Sequence, residues 1–202
     1  NFRISSILFF WCNSNVSIGV QSMISVDRGS HADATVNGNI AIGYNALAGG
    51  DFASADKDLV GNIAIGKNAL DATGSNAQTG TIAIGHEALT ALTSGSRNTA
   101  IGYRAGNAVD TLSDNTFIGH DAGLKVDDGA YNTAIGSMAM ESVAASAACD
   151  YSVAVGYEAL AGIIGGDANV AIGAYAASLT TTGTHNVAIG SYDGGFLGAL
   201  RD

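Results

Sequence analysis

A short core, any residue followed by Ile-Gly, recurs ten times along this chain of 202 residues. Its glycines are Gly19, Gly43, Gly66, Gly85, Gly102, Gly119, Gly136, Gly156, Gly173 and Gly190. In the eighth unit Val155 replaces the isoleucine. The differences between successive glycine numbers are 24, 23, 19, 17, 17, 17, 20, 17 and 17, which indicates a 17-residue base unit with insertions in four units. Units this short cannot enclose a core alone, and the repeat therefore predicts a solenoid of stacked coils.

Each unit predicts a short β-strand that ends at its glycine. The residue before the glycine and the residue two positions earlier are β-branched, as in Ile40 and Ile42, or Thr99 and Ile101. Side chains alternate along a strand, so these two residues share one face, and β-branched residues favour a pleated sheet. The residue between them is Ala or Ser, with Phe117 as the exception.

We expect the isoleucines to stack from coil to coil and to form an aliphatic core. The predicted core ladder consists of Ile42, Ile65, Ile84, Ile101, Ile118, Ile135, Val155, Ile172 and Ile189. The predicted fold class is all-β: a single parallel β-roll or β-solenoid of about ten 17-residue coils. At one strand spacing per coil, the rod is roughly 50 Å long.

An asparagine opens eight of the ten units, directly before the strand. An asparagine at a bend satisfies backbone groups of the turn and hydrogen-bonds to its stacked copies. The predicted turn ladder consists of Asn39, Asn62, Asn98, Asn115, Asn132, Asn169 and Asn186.

The segments NIAIGYNAL (39–47), NTAIGYRAG (98–106) and NVAIGAYAA (169–177) resemble the β-roll repeats in the heads of trimeric autotransporter adhesins. Similar repeats occur in phage tail fibres and other extracellular fibre proteins. The resemblance covers roughly residues 13–194 and is specific at the Asn-x-Ala-Ile-Gly core. It implies a parallel β-roll and a structural or adhesive role at a surface.

Residues 1–14 differ from the repeats and are predicted to form an N-terminal apolar strand, while residues 15–202 form the solenoid domain. Residues 2–11 (FRISSILFFW) hold three of the six phenylalanines and the only tryptophan. Two interpretations stay open: a cap over the first coil, or a strand that completes a neighbouring subunit, which we prefer. The predicted assembly residues are Phe2, Ile4, Ile7, Leu8, Phe9, Phe10 and Trp11.

The C-terminal end favours the second interpretation. The last coil, from Asn186, is nearly regular, and the twelve residues after Gly190 are too few for a substantial cap. An open terminal coil that meets an apolar strand of the next copy is a heterologous contact, and such contacts propagate as filaments when they do not close into a ring. We therefore expect a head-to-tail homopolymer.

The charge balance excludes several classes of partner. Eight Lys and Arg stand against 18 Asp and Glu, and the formal net charge is −10, so we expect no binding to nucleic acid. The apolar segment near the N-terminus is too short to cross a bilayer, so we expect no membrane insertion. Cys12 and Cys149 are interpreted as two buried thiols, with a bridge between them as the alternative.

No residue pattern indicates catalysis, and we expect a protein without enzymatic activity or cofactor. The aspartates in GGDFASADKD and KVDDGAY fit no known calcium loop and are interpreted as solvated acidic loops. The residues that follow the glycines form a surface stripe, which is either a tolerant solvent-facing position or a binding surface for a receptor or glycan. This stripe consists of Tyr44, Lys67, His86, Tyr103, His120, Ser137 and Tyr157.

These patterns predict a structural subunit of an extracellular fibre or filament that assembles head-to-tail through its N-terminal strand. The alternative is a receptor-binding β-roll of the adhesin or phage-tail-fibre type, assembled as a trimer. Both hypotheses place the protein outside the cell or at a cell or virion surface.

Overall fold

The computed structural model describes residues 14–23, 35–49, 58–73, 77–141 and 149–191. Within these ranges the chain forms short β-strands joined by turns, and no helix is present. In chain order the strands are β1 (Val16–Ile18), β2 (Val36–Asn37), β3 (Ile40–Ile42), β4 (Leu59–Val60), β5 (Ile63–Ile65), β6 (Gln78–Thr79), β7 (Ile82–Ile84), β8 (Thr99–Ile101), β9 (Thr116–Ile118), β10 (Thr133–Ile135), β11 (Val153–Val155), β12 (Val170–Ile172) and β13 (Val187–Ile189).

The strands form two parallel sheets. The long sheet has ten strands in the order β1-β3-β5-β7-β8-β9-β10-β11-β12-β13, and the short sheet has the order β2-β4-β6. Neighbouring strands of the long sheet pair in register, so that Ile42 lies opposite Ile65 and Ile65 opposite Ile84. The predicted parallel β-solenoid is confirmed. Its coils are about 19-residue units on average, longer than the base unit of the sequence, because several coils carry insertions.

Small side chains line the interior of the solenoid. From β3 to β13 the middle residue of each strand in the long sheet is buried, while both flanking residues are half-buried or exposed. The buried middle residues are Ala41, Ala64, Ala83, Ala100, Phe117, Ala134, Ala154, Ala171 and Ala188. A second buried alanine follows three residues after each glycine, from Ala46 to Ala176. The two walls of each coil therefore approach closely.

The predicted core ladder stacks in register but lies on the outer face instead of in the core. Ile101 and Ile135 are each 37% exposed, and Ile189 in the last coil is 59% exposed. A three-residue strand can bury either its middle or its two ends, and alanine at most of the middle positions lets the two walls pack closely, which two inward β-branched residues in every strand would prevent. This correction applies to Ile42, Ile65, Ile84, Ile101, Ile118, Ile135, Val155, Ile172 and Ile189.

Larger interior side chains come from the turn after the glycine bend. Leu47, Leu70, Leu89 and Leu160 are buried there with left-handed φ values of about 50°. Phe117 is a large residue at a middle strand position where most coils have alanine. Beside its ring, two glycines occupy the turn position that leucine holds in the coils named above. A Cβ on Gly106 would lie 2.8 Å from Phe117 Cδ2, and a Cβ on Gly123 would overlap the same ring. The large ring thus occupies space that leucines fill in other coils.

The asparagines of the predicted turn ladder are hydrogen-bonded from coil to coil. The backbone N–H groups of Asn39, Asn62 and Asn132 donate to the side-chain Oδ1 of the preceding asparagine at 2.8–2.9 Å. Thr81 and Ser152 stand in the ladder in place of asparagine. Of the predicted ladder, Asn39, Asn62, Asn98, Asn115, Asn132 and Asn169 are buried, and Asn186 in the last coil is exposed.

Candidate functional site: the outward aliphatic face

The most extensive surface feature of the described residues is the outer face of the long sheet, which we call the aliphatic face. It contains the first and last residue of each of the ten strands. These pairs are Val16 and Ile18, Ile40 and Ile42, Ile63 and Ile65, Ile82 and Ile84, Thr99 and Ile101, Thr116 and Ile118, Thr133 and Ile135, Val153 and Val155, Val170 and Ile172, and Val187 and Ile189. Nine strand spacings make the face about 43 Å long. A contiguous apolar surface of this length indicates a binding surface, unlike single exposed apolar residues.

Three threonines interrupt the aliphatic face at its middle. Thr99, Thr116 and Thr133 lie side by side in register on β8, β9 and β10. All three are half-buried, and no described residue hydrogen-bonds to their hydroxyl groups. The row of last residues, from Ile18 to Ile189, therefore stays apolar throughout, while the row of first residues is divided by three neighbouring hydroxyls.

One long edge of the face is the predicted surface stripe, which we call the glycine rim. Its residues Tyr44, Lys67, His86, Tyr103, His120, Ser137 and Tyr157 directly follow the glycines that end the strands. The Tyr103 ring lies between His86 and His120, with ring centroids 5.4 Å and 5.2 Å apart and planes 14° from parallel. Imidazole rings therefore cover both faces of the Tyr103 ring. This packing gives the glycan-binding interpretation little support at Tyr103.

Charged side chains fix the middle of the glycine rim. The Arg104 guanidinium donates to Asp121 through Nε at 2.9 Å and through Nη2 at 2.7 Å, and it lies 5.1 Å from the centre of the Tyr103 ring. The hydrogen bond to Asp121 raises the pKa of Arg104 above its ordinary value. Farther along the rim, a hydrogen bond to Glu158 raises the pKa of Tyr157 to about 12. These paired groups make a charged and aromatic border rather than a catalytic centre.

The other long edge, which we call the asparagine rim, contains the residues directly before the turn ladder. Arg97 Nε and Nη2 donate to the two carboxylate oxygens of Asp114 at 2.6 Å and 2.8 Å. The rings of Tyr131 and Tyr151 stack in parallel with their centroids 4.9 Å apart, and both side chains are more than half exposed. An apolar face with polar and aromatic borders has the anatomy of a protein–protein interface.

The ends of the long sheet are also surface features. β1 and β13 each pair with only one other strand among the described residues. Val16, Ile18, Val187 and Ile189 are each more than 40% exposed. The predicted assembly residues Phe2, Ile4, Ile7, Leu8, Phe9, Phe10 and Trp11 lie outside the described residues, as does Cys12.

Other kinds of site lack support in the described part of the chain. It contains no group of three or more His, Cys, Asp or Glu side chains placed to hold a metal ion. None of its segments forms a helix long and apolar enough to span a bilayer. Cys149 is buried, and this burial raises the pKa of its thiol, which disfavours the reactive thiolate. Comparison with protein-family models, with curated proteins and with solved structures gave no match.

Sequence patterns identified the residues of the aliphatic face but placed them inside. The rim contacts have a sequence signal of their own: the partners Arg97 and Asp114, and Arg104 and Asp121, are each 17 residues apart. In a chain with a 17-residue repeat, that spacing places two side chains next to each other on adjacent coils.

Proposed function

We propose that this protein is a structural subunit of an extracellular fibre, without enzymatic activity, that assembles head-to-tail with copies of itself. The observation that carries the proposal is the long sheet, whose ten parallel in-register strands end at β1 and β13, each of which pairs with one strand only among the described residues. Unpaired edge strands are templates for pairing with another chain.

These two edges are complementary because every strand of the sheet has the same direction. β1 of a second copy can pair with β13 as β13 pairs with β12, which continues the sheet without a change of geometry. Asn186 is the last described asparagine of the turn ladder, and in this assembly its exposed side-chain oxygen would accept the backbone N–H of Asn15 of the next copy, as Asn169 accepts that of Asn186. Such a contact joins two different surfaces of the subunit, so it propagates as a filament.

The apolar segment 2–11 shortly precedes β1, and we assign it the role of anchoring this contact on the neighbouring copy, because three-residue strands pair too weakly to hold two copies together by themselves. Negative-stain electron microscopy of the full chain beside a variant without residues 1–12 tests this role. We expect filaments from the full chain and short single rods from the truncated chain. Identical discrete particles from both chains would contradict head-to-tail assembly through this segment.

The aliphatic face favours a second candidate function, a receptor-binding β-roll of the adhesin or phage-fibre type made of laterally associated copies. With both rims the face is about 20 Å wide, so each copy offers roughly 850 Å². A specific interface buries about 800 Å² per partner, and the face is large enough for one. The rims would then face a receptor or glycan at the outside of a cell or virion.

One further measurement on the truncated chain separates the two candidates. If the aliphatic face associates laterally, the variant without residues 1–12 sediments as a discrete dimer or trimer. If only the ends associate, the same variant sediments as a monomer.

A further inference from the structure

We propose that Thr99, Thr116 and Thr133 fix the axial register in which copies of this chain meet through the aliphatic face. The inference rests on the lateral association described above and names the residues that make it specific. The three side chains form the only polar row of the face, between Ile82 on β7 and Val153 on β11.

The apolar part of the face does not specify a register by itself. Seventeen of its twenty residues are Ile or Val, and they repeat at every strand spacing of about 4.8 Å. If a second copy slides along the rod by one coil, its isoleucines and valines meet nearly identical neighbours. A row of uniform apolar side chains is therefore prone to slippage.

The threonines remove this degeneracy because a hydroxyl covered by an interface requires a partner. The other hydroxyl groups available within the covered face belong to the same three residues of the second copy. An aligned pair of copies matches three hydroxyls with three, directly or through a shared water. A shift by one coil leaves one threonine of each copy against Ile82 or Val153, and each unpaired hydroxyl weakens association about tenfold.

Two arrangements satisfy the threonine row. In the parallel arrangement each threonine meets the same residue of the second copy. In the antiparallel arrangement Thr99 meets Thr133, and Thr116 meets itself. The position of a label far from the row distinguishes the two arrangements, because labels of parallel copies lie at the same level and those of antiparallel copies lie at opposite ends.

Distance measurements between spin labels test the proposal on the full chain. Lys67 on the glycine rim is exposed, so Lys67→Cys in a Cys12→Ser background carries the label, while Cys149 remains buried. The test variants are T99V/T116V/T133V, which removes the hydroxyls at nearly equal volume, and T99S/T116S/T133S, which keeps them.

We expect one narrow label-to-label distance for the parent chain and for the serine variant. For the valine variant we expect equal or tighter association and several distances, which differ in axial offset by about one strand spacing of 4.8 Å. A valine variant that keeps the single narrow distance of the parent would overturn the register proposal alone. A parent chain that stays monomeric in sedimentation at every concentration would remove the lateral association itself, and the inference with it.

Discussion

The long sheet forms the first wall of every coil, and the segment opposite it forms the second wall. The first coils and the later coils share the first wall but differ in the second. The starting residues of β1, β3, β5 and β7 are 16, 40, 63 and 82, which gives steps of 24, 23 and 19, whereas five of the six steps from β7 to β13 equal 17. In the long coils the second wall contains β2, β4 and β6, whose residues Val36, Leu59 and Gln78 are buried. In four of the later coils glycines occupy equivalent positions, namely Gly95, Gly129, Gly166 and Gly183.

This difference shows which part of the repeat sets the register. The glycine bend and the asparagine turn are present in both regions, and in both they align each coil with the next. Additional residues enter only between the bend and the second wall, and the long sheet keeps its register across them. The connection between the two walls therefore tolerates variation in length, and the first wall does not.

The largest expected effect is at Gly95 in the second wall, and Gly80 on the asparagine rim of the preceding coil serves as its control. Gly95 has a φ of 109°, and a Cβ there would overlap the carbonyl oxygen of Leu112 in the next coil. Gly80 in the preceding coil has a φ of 65° and no atom closer than 4.0 Å to such a Cβ. We expect G95A to lower the free energy of unfolding by about 3 kcal/mol and G80A by about 1 kcal/mol. Urea unfolding measures both, and equal losses would contradict the close packing of the short coils.

Phe117 tests the interior of the short coils. We expect F117A to lower the free energy of unfolding by about 3 kcal/mol, because it leaves a cavity beside Gly106 and Gly123. The double variant F117A/G106L restores the alanine and leucine of ordinary coils, and we expect it to recover about 2 kcal/mol. Gly106 has a φ of 58°, close to the value of Leu89 in the preceding coil, so leucine fits the backbone. A double variant less stable than F117A would show that the two positions do not compensate.

Thr81 lies where the long and short coils meet, and it interrupts the turn ladder. Its hydroxyl is buried without a hydrogen-bond partner. Asn62 Oδ1 accepts the backbone N–H of Thr81 in the following coil. In T81N the new side-chain oxygen can accept the corresponding backbone N–H of the next coil. We expect thermal unfolding to show a gain of about 1 kcal/mol. A loss of stability would mean that the site selects threonine for its smaller volume.

The smallest expected effects are on the pH dependence of the free energy of unfolding. They have opposite signs in the short coils and in the long coils. In the short coils the hydrogen bond from Arg97 lowers the pKa of Asp114 below its ordinary value. Its contribution to stability is therefore present above the ordinary carboxyl pKa and is lost as pH falls below about 4. In the long coils burial, assisted by the charge of Glu87, raises the pKa of Asp71. The charged form of Asp71 thus opposes folding as pH rises through that higher pKa.

Unfolding measured from pH 3 to pH 7 for the parent chain, D114N and D71N checks these signs. We expect D114N to lose the part of the acid dependence that the Arg97 pair supplies, and to show little effect in high salt because the pair is exposed. We expect D71N to be slightly more stable than the parent at pH 7. Parallel pH profiles for all three chains would contradict the assignment.

The sequence alone predicts the solenoid, the strand positions and the turn ladder, because each depends on a residue type that recurs at fixed spacing. It does not reveal which face of a three-residue strand is buried. The alternation of Ala41 and Ile42 fits a strand with its alanine inside as well as one with its isoleucines inside. Which side is buried depends on the width of the interior, and that width is set by the packing of all coils. The clue was Phe117, whose neighbouring glycines at 106 and 123 show that the middle position points inward.

The rim contacts were harder to predict for a different reason. Arg97 and Asp114 meet because each directly precedes a ladder asparagine in neighbouring coils, while Gly61 and Gly80 hold the equivalent positions in the long coils. A pairing of this kind follows from the spacing only after the coil boundaries are known.

The central claim is that the aliphatic rows serve association rather than the core, and one measurement tests it most directly. The chain without residues 1–12, which cannot associate end to end, is compared with the same truncated chain carrying I101S/I135S by sedimentation over a range of concentrations, with unfolding of each monomer measured in parallel. We expect the truncated chain to associate and its double variant to be a monomer, with a free energy of unfolding within about 1 kcal/mol of the truncated monomer. A double variant that fails to fold, or one that associates as the truncated chain does, would contradict the claim.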